Sequence, residues 1–279
     1  MIVLKTIHDV EKYRKKLTAK SIGFVPTMGA LHKGHESLIK TSIKTCDITI
    51  VSIYLNPKQF GPNEDLNTYP VQTDTDINIC KAYKIDAVFI PTDNDIYPKN
   101  DSSTPYKPSE AITSILCGKS RPQFFKGVCN VVERLFNLIK PTHAFFGNKD
   151  LQQRLIIEQM ITDLKLNITI VGCPIIRDQN GLALSSRNAY LTTETYKIVS
   201  KVPNAVRKIL TTNVESAEKF IEKIKIKINE IGCSVEYVNF YNKRTKQLTN
   251  IINNDTYCCI AFKNNGIRLI DNYSMKIKS

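Results

Sequence analysis

Two of the chain's four histidines lie within four residues of each other, in the stretch "GALHKGH". His32 and His35 follow the apolar run "IGFVP", and the amphipathic segment "ESLIKTSIKTC" comes directly after them. This order predicts a strand, a loop and a helix that begins near Gly34 or His35. Free backbone amides at a helix N-terminus, together with the helix dipole, favour phosphate. The residue types therefore predict a phosphate-binding loop to which both imidazoles and Lys33 add donors.

Three other interpretations of this stretch were compared with its spacing. The glycines have the spacing of a P-loop, but His35 stands where that motif needs lysine, so a P-loop is rejected. Two histidines three residues apart are compatible with a metal site, although no third ligand is nearby and no metal ligand is predicted. Two histidines that merely occupy a turn remain the simplest alternative.

The stretch "FFGNKDLQQ" contains a second set of groups that suit a phosphate. A strand is predicted to end just before Gly147, and a helix follows. Lys149 at that helix start would direct a compact positive charge at a phosphate. Asp150 has an alternative role as the helix cap, and Gln152 and Gln153 have an alternative role as ordinary helix surface.

The stretch "GLALSSRNAYL" places hydroxyl and guanidinium groups together after a glycine turn. Ser185 and Ser186 offer hydroxyls, and Arg187 offers a fork of donors that does not lose its charge. These groups suit a triphosphate. By itself the same sequence is also a common loop or capping sequence.

Strand-like and helical patterns alternate around these motifs as far as about residue 176. Runs rich in apolar and β-branched residues are separated by segments whose apolar residues recur at helical spacing. We therefore predict a Rossmann-like, doubly wound parallel sheet, covered by helices on both faces, that binds ligands at the carboxyl ends of its strands. The predicted strands are "IGFVP", "ITIVSIYL", "DAVFIP", "THAFFG" and "NITIVGCPII".

Beyond residue 176 the pattern changes to that of a smaller α+β domain. One helix is predicted over "LTTETYKIVSKVPNAVRKIL" and another over "VESAEKFIEKIKIKINEIG", and the last two strands are joined by the hairpin signal "NNG". The predicted domains are residues 1–176 and 177–279. Of two long proline-containing loops in the first domain, "LNPKQFGPNEDLNTYP" is predicted to be functional, and "PTDNDIYPKNDSSTPYKP" is left undecided.

Composition restricts the classes of function. The chain has 279 residues, of which 42% are hydrophobic and 23% charged, as in ordinary globular proteins. We expect a cytoplasmic protein, because no apolar run is long enough for a membrane helix and the N-terminus is unlike a signal peptide. The eight cysteines lack zinc or disulfide spacing and are expected to be buried free thiols. The net charge of +13 comes mostly from scattered lysines, so nucleic-acid binding is not expected.

Four stretches together resemble the pantoate–β-alanine ligase (pantothenate synthetase) family: "PTMGALHKGH", "LNPKQFGPNEDLNTYP", "FFGNKDLQQ" and "GLALSSRN", with "RLIDN" near the end. The resemblance covers essentially the whole chain. It implies that pantoate attacks the α-phosphate of ATP, and that β-alanine then displaces AMP from pantoyl adenylate. Such chemistry needs charge stabilisation and positioning but no enzyme nucleophile. Family members use Mg²⁺ with ATP and are usually homodimers through the N-terminal domain.

The resemblance also implies a role for each site residue. His35 would be the catalytic histidine, and Gln59 and Gln153 would bind pantoate, with Gln59 also meeting β-alanine. The C-terminal domain would close over the site. The implied ATP-binding residues are Met28, Gly29, Ala30, Leu31, His32, Lys33, Gly34, His35, Gly147, Asn148, Lys149, Asp150, Ile176 (through its backbone), Leu184, Ser185, Ser186 and Arg187.

Two of these positions depart from the family pattern. Asn148 replaces a usual glutamate and Leu184 a frequent methionine, and activity is expected to survive because both residues would contact nucleotide through the main chain. Two other functions remain as alternatives. Another adenylyl- or cytidylyltransferase with the same H-x-G-H loop would lack the paired Gln59 and Gln153. A noncatalytic RNA-binding protein would need base-stacking aromatics on a basic face, and no such motif is found.

Overall fold

The computed structural model describes residues 1–17, 21–100, 102–212 and 216–275. The chain divides into two compact units, the first made of residues 1–109, 121–148 and 153–174, and the second of residues 110–120, 149–152 and 175–279. The predicted domain boundary after residue 176 lies two residues from the point, between residues 174 and 175, where the chain passes from the first unit to the second. Two short segments of the predicted first domain belong instead to the second unit. Residues 276–279 of the predicted second domain, and 214–215 of its second predicted helix, lie outside the described residues.

The first unit contains a parallel sheet of six strands. They are β1 (Ile2–Leu4), β2 (Ile22–Thr27), β3 (Ile48–Ile53), β4 (Ala87–Phe89), β5 (His143–Gly147) and β6 (Thr169–Cys173). Their spatial order is β1-β4-β3-β2-β5-β6, and every neighbouring pair is parallel. All six residues of β3 are buried, as expected of a central strand covered on both faces. The Rossmann-like sheet is therefore confirmed. The edge strand β1 was not predicted, because three residues are too few to show a period.

Helices connect the strands and continue into the second unit. In chain order they are α1 (Ile7–Lys15), α2 (Lys33–Thr45), α3 (Thr73–Ala82), α4 (Asp93–Ile96), α5 (Glu110–Thr113), α6 (Leu116–Ser120), α7 (Phe124–Ile139), α8 (Leu151–Asp163), α9 (Thr193–Val199), α10 (Val202–Leu210) and α11 (Ala217–Glu230). The prediction of a single helix over "LTTETYKIVSKVPNAVRKIL" is wrong, because the helix is interrupted between α9 and α10. Pro203 lacks an N–H, and its ring would clash with the carbonyl of Val199 in a continuous helix.

The second unit contains an antiparallel sheet. Its strands are β7 (Ser234–Asn242), β8 (Gln247–Leu248), β9 (Thr256–Asn264) and β10 (Ile267–Ser274), in the spatial order β10-β9-β7-β8. The "NNG" hairpin is confirmed, since Asn265 and Gly266 have φ of 47° and 78° between β9 and β10. Helix α11 contributes Phe220, Ile224 and Ile228 to the core of this unit. The smaller α+β unit is therefore as predicted.

The eight cysteines are free, and all but the half-buried Cys46 are buried, as expected. Within the described ranges, no helix combines the length and the apolar character that a bilayer span requires.

Candidate active site

The loop after β2 is tied to the neighbouring strand before it reaches the histidines. Thr27 donates its hydroxyl to the carbonyl oxygen of Ser52 (2.7 Å) and accepts the N–H of Gly29 (3.2 Å). Gly29 has φ of 84°, a left-handed conformation that glycine adopts without a Cβ penalty. A Cβ at Gly29 would lie 2.9 Å from a carboxylate oxygen of Asp76. The chain therefore leaves the carboxyl end of this central strand in a compact turn.

His32 and His35 cap α2 reciprocally. The Nδ1 of His32 accepts the N–H of Gly34 at 3.0 Å, and the Nδ1 of His35 accepts the N–H of His32 at 3.3 Å. The ring centroids are 4.2 Å apart. Because a backbone N–H can only donate, both Nδ1 atoms are unprotonated, and each neutral ring carries its proton on Nε2. Both rings thus keep their N–H on Nε2, beside the N-terminus of α2 and the positive end of its dipole.

Most of the loop amides that were expected to be free are already used within the protein. They are the N–H groups of Gly29, Ala30, Leu31, His32 and Gly34. Their acceptors are Thr27, Asp76 and the two imidazoles. The expectation that the loop amides are free is therefore wrong for these five, because nearby side chains accept their N–H groups. Lys33 of the same loop is exposed.

The loop "LNPKQFGPNEDLNTYP" is anchored in the first unit and brings Gln59 to the histidine loop. Gln59 is buried, its Oε1 accepts from Asn56 (3.1 Å), and its Nε2 donates to the sulfur of Met28 (2.6 Å). Asn56 also donates to the carbonyl oxygen of Gly127 on α7 (3.1 Å). A Cβ at Gly127 would lie 2.1 Å from the carbonyl oxygen of Lys58, so only glycine permits this close approach. The structure therefore brings together two predicted site residues, Gln59 and Met28.

The two glutamines at the start of α8 differ in their environments. Gln152 is buried, donates to the carbonyl oxygens of Ile112 (2.7 Å) and Ile115 (2.8 Å), and accepts the N–H of Cys117 (3.0 Å). The interpretation of Gln152 as helix surface is therefore wrong, because its buried amide bonds backbone groups of the segment from Ile112 to Cys117. The Gln153 side chain is half-buried and makes no hydrogen bond within the described ranges. Its amide is therefore available to a ligand.

The residues after β5 are divided between the two units, Asn148 in the first and Lys149 and Asp150 in the second. In the first unit, Gly147 pairs with Cys173, and a Cβ at Gly172 would lie 2.5 Å from Oδ1 of Asn148. The Asn148 side chain therefore packs against β6. In the second unit, the Nζ of Lys149 lies 3.6 Å from a carboxylate oxygen of Asp150.

The predicted adenine and phosphate contacts of the second unit lie on a paired loop. The N–H of Leu184 donates to the carbonyl oxygen of Ile176 at 2.9 Å, which leaves the Ile176 N–H as its available backbone donor. The Oγ of Ser185 accepts the N–H of Arg187 at 3.3 Å and caps the 3-10 turn that follows. The capping interpretation of Ser185 is confirmed. Its hydroxyl hydrogen can still donate to a ligand.

A partly buried ion pair supports this loop and was not anticipated from the sequence. Arg177 binds Asp271 through two nitrogens at 2.6 and 2.8 Å, and also donates to the carbonyl oxygen of Gly181 (3.0 Å). Burial lowers the pKa of Arg177, but the hydrogen bonds and charge of Asp271 raise it overall. The next residue, Asn272, donates to the carbonyl oxygen of Lys149 at 3.0 Å. Adjacent residues of β10 thus hold two predicted nucleotide segments, and the motif "RLIDN" is the sequence signal that marks them.

A cavity of about 230 Å³ opens in the first unit at the carboxyl ends of β2, β3 and β4. Met28, Gly29 and Asp76 form one part of its lining. Another part contains Tyr54, whose hydroxyl donates to Asp93 at 2.8 Å. Burial, and then the bond to Asp93, raises the pKa of Tyr54, so the phenol stays protonated. The cavity lies at the edge where doubly wound sheets bind ligands.

The chain is similar to proteins of one family along almost its entire length. A family model described as pantoate-beta-alanine ligase matches residues 2–274. A pantothenate synthetase from Pseudothermotoga lettingae is 42% identical over 278 residues, which cover 98% of each chain. A pantothenate synthetase from Helicobacter pylori is 42% identical over 275 residues, covering 98% of this chain and 99% of that one.

Solved structures give the same result. The crystal structure of pantothenate synthetase from Thermus thermophilus has a TM-score of 0.91 at 31% identity and covers 99% of both chains. The pantoate-beta-alanine ligase from Francisella tularensis, complexed with beta-gamma ATP and beta-alanine, has a TM-score of 0.86 at 38% identity. That match covers 100% of this chain and 99% of the Francisella chain.

Proposed function

The chain belongs to the pantoate–β-alanine ligase family, and from that premise we propose that it condenses (R)-pantoate with β-alanine, using ATP and releasing AMP and pyrophosphate. The observation that carries the proposal is the reciprocally capped pair His32 and His35 at the end of a central parallel strand. Two preorganised N–H donors at a helix N-terminus suit the stabilisation of charge on a phosphate.

In the first step, a carboxylate oxygen of pantoate bonds to the α-phosphorus of ATP while the bond to pyrophosphate breaks. We assign the Nε2–H of His35 to a non-bridging oxygen of that phosphate, with His32 beside it. A donor directed at developing charge typically contributes about 2.7–4 kcal/mol to the transition state. The reciprocal caps supply the preorganisation, because they hold both rings and both tautomers before ATP binds.

The remaining nucleotide contacts are assigned from the family resemblance. The charged and hydroxyl groups of Lys149, Ser185, Ser186 and Arg187 are assigned to phosphates, and the N–H of Ile176 to adenine. The fixed backbone at Lys149 and at Ile176 supports these assignments, since both segments are held by hydrogen bonds within the second unit. A held backbone reduces the ordering that binding would otherwise require.

Pantoate is assigned to Gln59 and Gln153, because an amide offers both donors and acceptors to hydroxyl and carboxylate groups. Gln59 is already oriented by Asn56 and Met28, and Gln153 has its amide available. In the second step, the amine of β-alanine attacks the acyl carbon of pantoyl adenylate, loses a proton, and displaces AMP.

A noncovalent adenylate is consistent with the state of two buried cysteines, Cys80 and Cys129. Burial raises the pKa of the Cys80 and Cys129 thiols to about 12, so both are protonated at neutral pH. A protonated, buried thiol is a poor nucleophile. The acyl group is therefore carried by AMP in this proposal and not by the protein.

We also propose that Mg²⁺ enters the site together with ATP. Across the described part of the chain, no group of three or more His, Cys, Asp or Glu side chains is placed to hold a metal ion. Mg²⁺ commonly keeps several waters and binds through substrate phosphates with few protein ligands. The donor set therefore fits a metal held mainly by the nucleotide, where it would neutralise phosphate charge.

The family resemblance further supports a cytoplasmic homodimer that forms through the first unit. Light scattering should give about twice the mass of 31.7 kDa if the exposed surface of that unit pairs two copies as in symmetric dimers. A monomer mass at micromolar concentration would contradict this assignment.

The proposed reaction is tested by identifying its nucleotide product. Incubation with ATP, pantoate, β-alanine and Mg²⁺ should yield AMP, pyrophosphate and pantothenate, and formation of ADP would contradict the proposal. Without β-alanine, labelled pyrophosphate should exchange into ATP only when pantoate is present. Exchange that requires β-alanine would show that the adenylate does not form independently.

A further inference from the structure

A buried carboxylate lies beneath the histidine loop. Asp76 on α3 is 1% exposed, and its two oxygens accept the N–H groups of Ala30 (2.9 Å) and Leu31 (2.7 Å). Both oxygens are thus used by consecutive amides of a loop that lies more than forty residues earlier in the chain. Hydrogen bonds from backbone amides to a carboxylate are stronger than those to a neutral acceptor.

The turn that Asp76 holds is one that alanine rarely adopts. Ala30 has φ of 50°, directly after Gly29 with φ of 84°. A non-glycine residue in the left-handed region persists only when the surrounding structure enforces it. The two N–H groups that donate to Asp76 belong to Ala30 itself and to Leu31, the residue that follows. This carboxylate is therefore placed to enforce the conformation.

The burial of Asp76 also indicates a specific role. Burial raises the pKa of Asp76, and the N–H groups of Leu31 and Ala30 oppose that shift. A carboxylate on the exposed face of α3, such as Asp74, would avoid the loss of solvation altogether. The hydrogen bonds to the loop are the compensation visible in the structure.

We propose that Asp76 is a positioning residue for adenylate formation, because it holds Ala30 and Leu31 so that His32 is the N-cap of α2 and both imidazoles keep their capped orientation. The inference rests on the proposed function, since adenylate formation is the step assigned to His35. Leu31 immediately precedes the N-cap, so a rotation of its peptide would move His32. A displacement of about 1 Å in a reacting group can lower turnover by about 100-fold.

The first test uses Asp76→Asn, which keeps the shape but replaces one acceptor oxygen by an NH₂ group. The kcat of pantoate-dependent pyrophosphate exchange should fall by about 10- to 100-fold. In the complete reaction the KM for β-alanine should stay nearly unchanged. Asp74→Asn on the exposed face of the same helix is the matched control and should leave kcat unchanged. Adding Ala30→Gly to Asp76→Asn should recover part of the loss, because glycine adopts the same φ without strain. A merely structural role predicts a lower Tm with normal kcat per folded molecule.

The second test does not depend on activity. The chain has four histidines, so imidazole nitrogen spectra can be assigned with single variants, and His32 and His35 should both be Nε2–H tautomers. In Asp76→Asn at least one of the two should lose that signature. Unchanged tautomers and unchanged kcat in folded Asp76→Asn would overturn the inference. If the unmodified protein shows no pantoate-dependent exchange but Asp76→Asn changes the tautomers, the result supports the positioning role and overturns the proposed function.

A third measurement decides the case in which Asp76→Asn does not fold. Hydrogen exchange of the Ala30 and Leu31 amides in the unmodified protein should be as slow as exchange in the central strands. Slow exchange supports the bonds to Asp76, and fast exchange at either amide would overturn the inference.

Discussion

The two ring nitrogens of His35 have different roles, and two substitutions separate them. Nδ1 accepts the N–H of His32 at 3.3 Å, whereas Nε2 carries the proton assigned to the α-phosphate. In His35→Asn the amide oxygen occupies nearly the place of Nδ1, so the cap remains and the distal donor is lost. In His35→Gln the amide nitrogen reaches toward the place of Nε2, so a donor remains and the cap is lost.

The expected magnitudes follow from these contacts. Loss of one preorganised donor lowers kcat by about 10²–10³-fold, so His35→Asn should reduce turnover by at least about 100-fold. Loss of a helix cap lowers the free energy of unfolding by about 1 kcal/mol. In a unit of this size that loss lowers Tm by about 2–4 °C, which is expected for His35→Gln and not for His35→Asn. His35→Ala should show both losses.

The assay is the initial rate of AMP formation at saturating ATP, pantoate, β-alanine and Mg²⁺, with Tm measured on the same samples. His8→Asn is a suitable control, because His8 is exposed on α1. Turnover of His35→Asn within about 5-fold of the unmodified protein, far less than the loss of an oxyanion donor, would refute the donor role. A large loss of turnover in His35→Gln but not in His35→Asn would show that the ring acts through its helix cap.

Three further predictions concern other parts of the molecule. Gln153→Ala should raise the KM for pantoate far more than the KM for ATP, and calorimetry with each substrate checks the difference. Gln152→Ala should instead lower the free energy of unfolding in urea titrations by about 1–3 kcal/mol, because it leaves buried backbone groups unpaired. Asp271→Ala should lower the free energy of unfolding in urea titrations by at most about 3–5 kcal/mol, the loss for a fully buried pair, because the half-buried Arg177 guanidinium loses its partner. Although burial raises the pKa of Glu236, the bond from Arg268 lowers it overall. The contribution of Glu236 to stability is therefore present above the ordinary carboxyl pKa and lost as pH falls through the lower folded value. Glu236→Gln should lower the free energy of unfolding at pH 7, and below pH 4.5 that free energy should fall less steeply with pH than in the unmodified protein.

Local patterns in the sequence were sufficient for most of the larger elements and for the loop that carries the two histidines. The alternation of periods predicted the parallel sheet, and "NNG" predicted the β9–β10 hairpin, because both signals arise within a few residues. The loop between β2 and α2 was likewise visible from its glycines and from His32 and His35. The failure at Pro203 was avoidable, since the steric rule that breaks the helix there is also local.

Other features depended on residues that meet only in the folded chain. Asp76 lies 46 residues from Ala30, and Arg177 lies 94 residues from Asp271, so no local period or spacing links the members of either pair. The sequence alone therefore determined most of the larger strands and helices and the position of the loop that carries His32 and His35, through short-range propensity, capping and turn chemistry. Only the tertiary structure decided which loop amides are already occupied and which carboxylates are buried, because those outcomes depend on strand order and on close packing between distant segments.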